Sequence, residues 1–128
     1  MAVLFEYALL RVVPRVERGE FINAGVVLYC PDSKFLDARV YLDPGRLRAL
    51  DPSLDHETVL AHLEAVRRVC AGGAGAGAVG ALPPGKRFGW LVAPRSTVVQ
   101  PSPVHTGFSP DPVEALEHLL RVMVQPPG

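Results

Sequence analysis

The sequence predicts an α+β fold: an antiparallel sheet of about four strands, with two main helices packed on one face of the sheet. Apolar and alternating runs predict three strands before residue 43. Two segments with good capping residues and apolar positions at helical spacing follow at 55–71 and 111–124. Because the early strands are joined by short connections, we expect a three-strand antiparallel meander that a later strand completes.

The three early strands differ in their apolar pattern. Residues 3–13 are apolar on both alternate faces, which is typical of a strand inside a sheet, and Pro14 ends them because proline has no N–H to donate. Residues 35–42 alternate cleanly, as a half-buried strand near a sheet edge does. In the second strand, at 22–30, strict alternation predicts one face made of Ile22, Ala24, Val26, Leu28 and Cys30.

The two main helices carry clear start signals. Asp55 is a good N-cap for the first, and Asp111 followed by Pro112 starts the second. A short helical turn is predicted from Pro44 to Leu50. The predicted buried stripes are Val59, Leu63, Val66 and Cys70 in the first helix, and Val113, Leu116, Leu120 and Met123 in the second.

The remaining segments are less regular. Residues 71–85 are rich in glycine and alanine, and we interpret them as a flexible connection within a single domain that spans residues 1–128. We expect residues 86–93, with the single tryptophan Trp90, to return the chain to the core. Residues 94–100 predict a turn and the fourth strand, which pairs with either the first or the third strand.

Composition excludes several classes of protein. The formal net charge is zero, which argues against a nucleic-acid-binding protein. No apolar run is long enough for a membrane-spanning helix, and the N-terminus lacks a signal-peptide pattern, so we expect a cytoplasmic location. Cys30 and Cys70 lie in apolar surroundings and are interpreted as buried free thiols.

Two phosphate-loop patterns are rejected, and no cofactor or metal is predicted. Residues 75–80 fit G-x-G-x-x-G, but they follow a helix instead of opening one. Residues 80–86 fit G-x-x-x-x-G-K, but Arg87 stands where a Ser or Thr is needed to bind magnesium. None of the four histidines forms a pair with another His or Cys at metal-ligand spacing.

Two polar blocks are the candidate functional residues. The first is a short connection with four charges followed by an asparagine in an apolar strand, and the second lies on an extended segment. Arginine side chains bind phosphate or carboxylate as a fork, and a Glu or His can act as acid or base. The candidate ligand-binding residues are Arg15, Glu17, Arg18, Asn23, Arg95, Ser96 and Gln100, and the candidate catalytic residues are Glu20 and His105. Solvated ion pairs and polar turns explain the same residues without any ligand.

The two blocks also carry a family resemblance. The segment Y-A-L-L-R-V-V-P-R-V-E-R-G-E-F-I-N-A-G-V-V-L (7–28) and the segment W-L-V-A-P-R-S-T-V-V-Q-P-S-P-V-H (90–105) resemble the bacterial domain-of-unknown-function family numbered 3037. The resemblance implies a small protein of unassigned activity, often encoded beside a HipA-like kinase. It points to Arg15, Glu17, Glu20, Asn23 and Gly25 in the first segment, and to Arg95, Ser96, Gln100, Pro101 and His105 in the second. Ala24 stands where the family pattern implies a valine.

Three hypotheses about function follow. The first is a binding or accessory protein, with a HipA-like kinase as the possible partner and helix 111–124 or edge strand 35–42 as the docking surface. The second is an enzyme or small-molecule binder for a phosphate- or carboxylate-bearing ligand, which uses the two polar blocks. A metal-dependent nuclease using Glu17, Glu20 and Asp43 is a distant third, because these carboxylates have no defined spacing.

Overall fold

An antiparallel five-stranded sheet forms the centre of the protein. The computed structural model describes residues 1–127. The strands are β1 (Val3–Val12), β2 (Ile22–Cys30), β3 (Phe35–Val40), β4 (Val99–Pro101) and β5 (His105–Ser109), and the helices are α1 (Pro44–Leu50), α2 (His56–Ala71), α3 (Pro84–Leu91) and α4 (Pro112–Met123). The α+β prediction and the three-strand meander are confirmed, and β3 is an edge strand.

The later part of the chain adds two short strands where the sequence predicted one. Both pair with the same edge of β1: β4 with Leu10–Val12, and β5 with Val3–Tyr7. Ser102 joins them, since its N–H donates to the Leu9 carbonyl and its hydroxyl accepts from the Leu9 N–H at 2.8 Å. This side chain replaces a backbone carbonyl at the junction, so the open question of pairing is settled in favour of β1.

The helices cover both faces of the sheet instead of the single face that was expected. Helices α1, α2 and α3 pack on one face, around Leu10 and Val27. Helix α4 packs on the other face, around Val26 and Leu28. The reason lies in the central strands, because β1 and β2 carry apolar side chains on both faces and each face needs a cover.

The five residues predicted to share one face of β2 do not do so, because the strand contains a β-bulge. Leu10 pairs with Gly25, but Arg11 pairs with Asn23, so Ala24 is an extra residue. Beyond the bulge the alternation changes phase: Ala24 and Ile22 pack with α2, whereas Val26, Leu28 and Cys30 pack with α4. A Cβ on Gly25 would lie 2.8 Å from the Arg39 carbonyl oxygen, so the strands approach closely here.

Several local predictions need correction. Residues 84–91 form a helix, α3, which buries Phe88 and Leu91 and leaves Trp90 46% exposed. The Gly/Ala stretch contains 3₁₀ turns over Ala74–Ala81. Asp55 and Asp111 do cap α2 and α4 as predicted. The buried residues of α4 are Ala115, Leu116 and Leu119, however, and the predicted stripe members Val113 and Met123 are exposed.

Candidate functional site

The first polar block lines a small pocket. The connection between β1 and β2 contributes Pro14, Arg15, Arg18 and Glu20, and it continues through a 3₁₀ turn at Val16–Arg18. Gly19 leaves that turn with φ of 66°, a conformation that suits glycine. The opposite wall comes from Leu50 at the end of α1 and from Asp51 and Pro52 in the connection to α2, and the pocket volume is about 180 Å³.

The charges in this pocket fall into two groups. Arg18 and Glu20 form an ion pair, with 2.6 Å between Nε and Oε1, and both side chains are at least half exposed. The hydrogen bond and the charge of Arg18 lower the pKa of Glu20, and Glu20 in turn raises the pKa of Arg18. Glu20 is therefore a solvated, ionised carboxylate, which is a poor environment for a general base that works near neutral pH.

Asp51 is the second carboxylate of the pocket, and the sequence analysis did not single it out. Its Oδ1 accepts hydrogen bonds from the Ser53 hydroxyl at 2.6 Å and from the Ser53 N–H at 2.9 Å. These hydrogen bonds, together with the charge of Arg15, lower the pKa of Asp51. These hydrogen bonds hold the carboxylate in place, and it is ionised. The sequence analysis missed Asp51 because this residue is far from Arg15 in the chain.

The second polar block lies elsewhere and divides into separate parts. The Arg95 guanidinium lies 4.6 Å from the centroid of the Trp90 ring and donates to the Trp90 carbonyl. The amide of Gln100 donates to the Thr97 carbonyl, and Ser96 is exposed. Arg95 and Gln100 line their own pocket of about 270 Å³ with four proline or valine residues and Ser102.

The two candidate catalytic residues do not meet. His105 is exposed in β5, opposite Tyr7, with the two rings 5.5 Å apart. Glu20 lies beyond the other end of β1, where Val12 pairs with Ile22. At roughly 3.3 Å per residue, the strand from Tyr7 to Val12 spans about 17 Å, which exceeds a hydrogen bond or a one-water relay. The structure gives no support to a shared site.

Asn23 has a structural partner and an unpartnered oxygen. Its Nδ2 donates to the Met123 carbonyl at the end of α4, at 3.1 Å, and its Oδ1 is buried without a hydrogen bond. Opposite Asn23 lies Arg11, whose guanidinium stacks on the Phe21 ring at 4.2 Å and whose Nε is also buried without a partner. Arg11 was missed, although a charged residue in a largely apolar strand is visible in the sequence.

Arg87 is a buried cation that sequence reasoning treated only as a departure from a phosphate-loop pattern. Its guanidinium donates to the carbonyls of Val69 and Cys70 at the end of α2, and its Nε donates to the Leu82 carbonyl at 2.9 Å. All three acceptors are backbone groups of this chain. Arg87 therefore has a structural role and is not available to a ligand.

The two edges of the sheet have different surfaces. Helix α2 lies against β3, and the Arg39–Asp37 ion pair adds charge to that edge. β5 pairs only with β1 within residues 1–127, and it carries Phe108, which is 72% exposed. The neighbour of Phe108 across the strands is Leu4, which is 44% exposed. Exposed apolar residues on a free edge are a template for pairing with another chain.

The described residues contain neither a cluster of metal ligands nor a helix suited to a membrane. Within residues 1–127, no three His, Cys, Asp or Glu side chains cluster closely enough to hold a metal ion. None of the helices described above combines the length and the apolar character that crossing a membrane requires.

Comparison with known proteins gives one match. Residues 7–124 match the family described as "Protein of unknown function (DUF3037)". No curated protein and no solved structure matches the chain. The family match covers nearly the whole chain and includes both polar blocks, while its description assigns no reaction, ligand or partner.

Proposed function

The chain belongs to the DUF3037 family, and we propose that it is a binding or accessory protein that docks a partner through the free edge of β5. The observation that carries this proposal is the pairing of an open strand edge with the exposed side chains of Phe108 and Leu4. An extended segment of a partner would add a strand to the sheet through main-chain hydrogen bonds, with these side chains supplying apolar contacts.

The contrast between the two edges supports β5 as the docking strand. The charged residues Asp37 and Arg39 lie on β3, and charges of this kind oppose strand pairing at an edge. The expected docking surfaces, helix 111–124 and edge strand 35–42, are therefore replaced by β5 in this proposal. The inner face of α4 is already used by the core.

A HipA-like kinase is the partner that we propose first. This choice comes from the gene neighbourhood that the family resemblance implies, and the β5 edge supplies a surface for it. The partner would contribute an extended, largely apolar segment, since β5 itself carries one ionisable residue, His105.

Coexpression with a HipA-like kinase tests the proposal. We expect the two wild-type proteins to copurify in a one-to-one complex, and we expect Phe108→Asp to weaken the complex by about tenfold or more, because a charge on the edge opposes strand addition. Val122→Asp is the matched control, since Val122 is 53% exposed on α4, and it should leave binding unchanged. Binding constants from calorimetry provide the measurement.

Two results would count against this function. If both variants bind the kinase as the wild type does, the β5 edge is not the docking surface. If the wild type binds no kinase at all, the proposed partner is wrong. Circular dichroism of both variants establishes first that each remains folded.

A second candidate function is the binding of a small molecule that carries a phosphate or carboxylate. The specific observation in its favour is that Arg15, Arg18 and Glu20 line one pocket. An enzymatic form of this function would need an acid or base other than the Glu20–His105 pair, because those two residues lie at opposite ends of β1. The ligand-binding form needs no such group.

A further inference from the structure

We propose that the pocket between the β1–β2 and α1–α2 connections binds a zwitterionic small molecule of the α-amino acid class, with its carboxylate at Arg15 and its ammonium group at Asp51. This inference rests on the second candidate function, the small-molecule binder, and it names the ligand. It adds Asp51, a residue that no sequence motif indicated, to the site.

Arg15 is the cation of the pocket that remains available. Among the described residues, ion pairs join Arg18 to Glu20, Arg39 to Asp37 and Arg67 to Glu64, and Arg15 takes part in none of them. Its side chain also makes no hydrogen bond within that part of the chain, although it lines the pocket. A guanidinium with unused N–H groups binds a carboxylate with two parallel hydrogen bonds.

Asp51 has a free oxygen that can bind the positively charged ammonium group of the ligand. Both hydrogen bonds from Ser53 reach Oδ1, and no hydrogen bond to Oδ2 is found in residues 1–127. Oδ2 is the oxygen that remains for a ligand ammonium group. Arg15 is near enough to Asp51 to contribute to lowering its pKa, yet the two do not form an ion pair within 4 Å. The pocket therefore separates two opposite charges.

The charge balance favours a zwitterion over a simple anion. Arg18 is neutralised by Glu20, so the charges left in the pocket are one guanidinium and one carboxylate. An anion such as phosphate would gain from Arg15 but would be repelled by Asp51. A ligand with both charges satisfies both groups, and opposite charges a few ångströms apart attract even near a protein surface.

The size and the walls of the pocket limit the ligand further. Its volume of about 180 Å³ lies below the range of roughly 300–1,000 Å³ that drug-sized ligands occupy. Pro14, Leu50 and Pro52 give it apolar walls between the charges. A free amino acid with a small or medium apolar side chain, such as valine or leucine, fits this combination.

Calorimetric titration of the purified protein tests this assignment. We expect leucine to bind, and we expect N-acetyl-leucine and leucinamide each to lose about tenfold or more in affinity, because each lacks one of the two charges. Arg15→Gln and Asp51→Asn should cause similar losses. Asn at position 51 still accepts from Ser53, so the loop keeps its hydrogen bonds. Arg48→Gln and Asp32→Asn, at exposed positions elsewhere, are the matched controls and should bind leucine as the wild type does.

The remaining outcomes separate this inference from the function on which it rests. If inorganic phosphate or N-acetyl-leucine binds as well as leucine does and Asp51→Asn has no effect, the pocket is an anion site and the zwitterion assignment is wrong. If neither leucine nor valine nor phosphate binds, both the assignment and the second candidate function are wrong. Leucine binding that survives both pocket substitutions would also overturn the assignment.

Discussion

The C-terminal ends of α2 and α4 solve the same problem in different ways. Each helix ends with carbonyl groups that have no partner inside the helix. At the end of α2, the buried guanidinium of Arg87 takes the carbonyls of Val69 and Cys70. At the end of α4, Asn23 donates to the Met123 carbonyl and Arg46 donates to the Val124 carbonyl at 2.9 Å.

The two helix ends differ in whether their buried polar groups have hydrogen-bond partners. Arg87 uses its donors on three backbone carbonyls, and Cys70 beside it is buried. The α4 end spreads the same task over a neutral amide and a second arginine, and two buried atoms nearby, Asn23 Oδ1 and Arg11 Nε, keep no partner. The end of α2 is therefore closed by hydrogen bonds, whereas the end of α4 contains buried polar atoms that have no hydrogen-bond partner.

Replacement of Arg87 is the strongest test of this comparison. We expect Arg87→Met to lower the free energy of unfolding by about 3 kcal/mol or more, because three carbonyls lose a charged donor at once and those of α2 have no access to water. Urea denaturation measures the change. Arg68→Met, an exposed position on the same helix, is the control and should change stability by less than about 0.5 kcal/mol. Equal effects of the two substitutions would contradict the structural role of Arg87.

The pH dependence of stability tests whether water is excluded from the C-terminal end of α2. Burial raises the pKa of the Cys70 thiol to about 12, against an unfolded value near 9. A raised thiol pKa means that stability is full below pH 9 and falls as the pH rises from 9 towards 12, with a loss of about 1 kcal/mol by pH 10. Cys70→Ala should lack this part of the alkaline loss when urea denaturation of the two proteins is compared at pH 8 and pH 10.

The rate at which the Cys70 thiol is alkylated is an independent measure of how well this side chain is buried. In the folded protein at pH 8, Cys70 should resist alkylation by iodoacetamide, since the thiolate is the reactive form. Rapid labelling of Cys70 in native buffer, found by mass spectrometry of the alkylated peptide, would show that the α2 end is open to water.

Two substitutions at the α4 end should have the smallest effects. We expect Asn23→Ala to cost about 1 kcal/mol, since one hydrogen bond to the Met123 carbonyl is lost. Arg11→Met should cost less than about 1 kcal/mol, because the Nε that it removes has no partner and the apolar stem is kept, while the stacking of the guanidinium on the Phe21 ring is lost. Thermal and urea unfolding measure both. A loss for Arg11→Met as large as that for Arg87→Met would remove the distinction between the two ends.

Local chemistry made part of this fold predictable. Asp55 and Asp111 act as caps through bonds to residues two or three positions later, so a short window of sequence contains the whole interaction. The three-strand meander was predictable for a similar reason. Arg87, in contrast, acts on carbonyls 17 and 18 residues earlier in the chain, and the bulge at Ala24 depends on its register with β1. No local pattern reveals either one.

The same limit applies to the candidate site. Arg15, Arg18 and Glu20 share a pocket because they belong to one short connection. Asp51 joins them only through the packing of a different connection, and the proposed link between Glu20 and His105 fails because β1 places them at its two ends. Residue types and spacing predicted the polar blocks, but only the strand register decides which blocks meet.

The extra residue in β2 has a consequence for how the chain tolerates a change in length. Arg11 pairs with Asn23 and Val12 pairs with Ile22, and both pairs would stay opposite each other without Ala24, because Gly25 would then follow Asn23 in a regular ladder. Ile22 and Asn23 would keep their faces, and the losses would be the buried methyl group of Ala24 and its carbonyl, which accepts from the Tyr41 N–H. A relative that is one residue shorter at this point would therefore keep the direction in which the β1–β2 connection leaves the sheet.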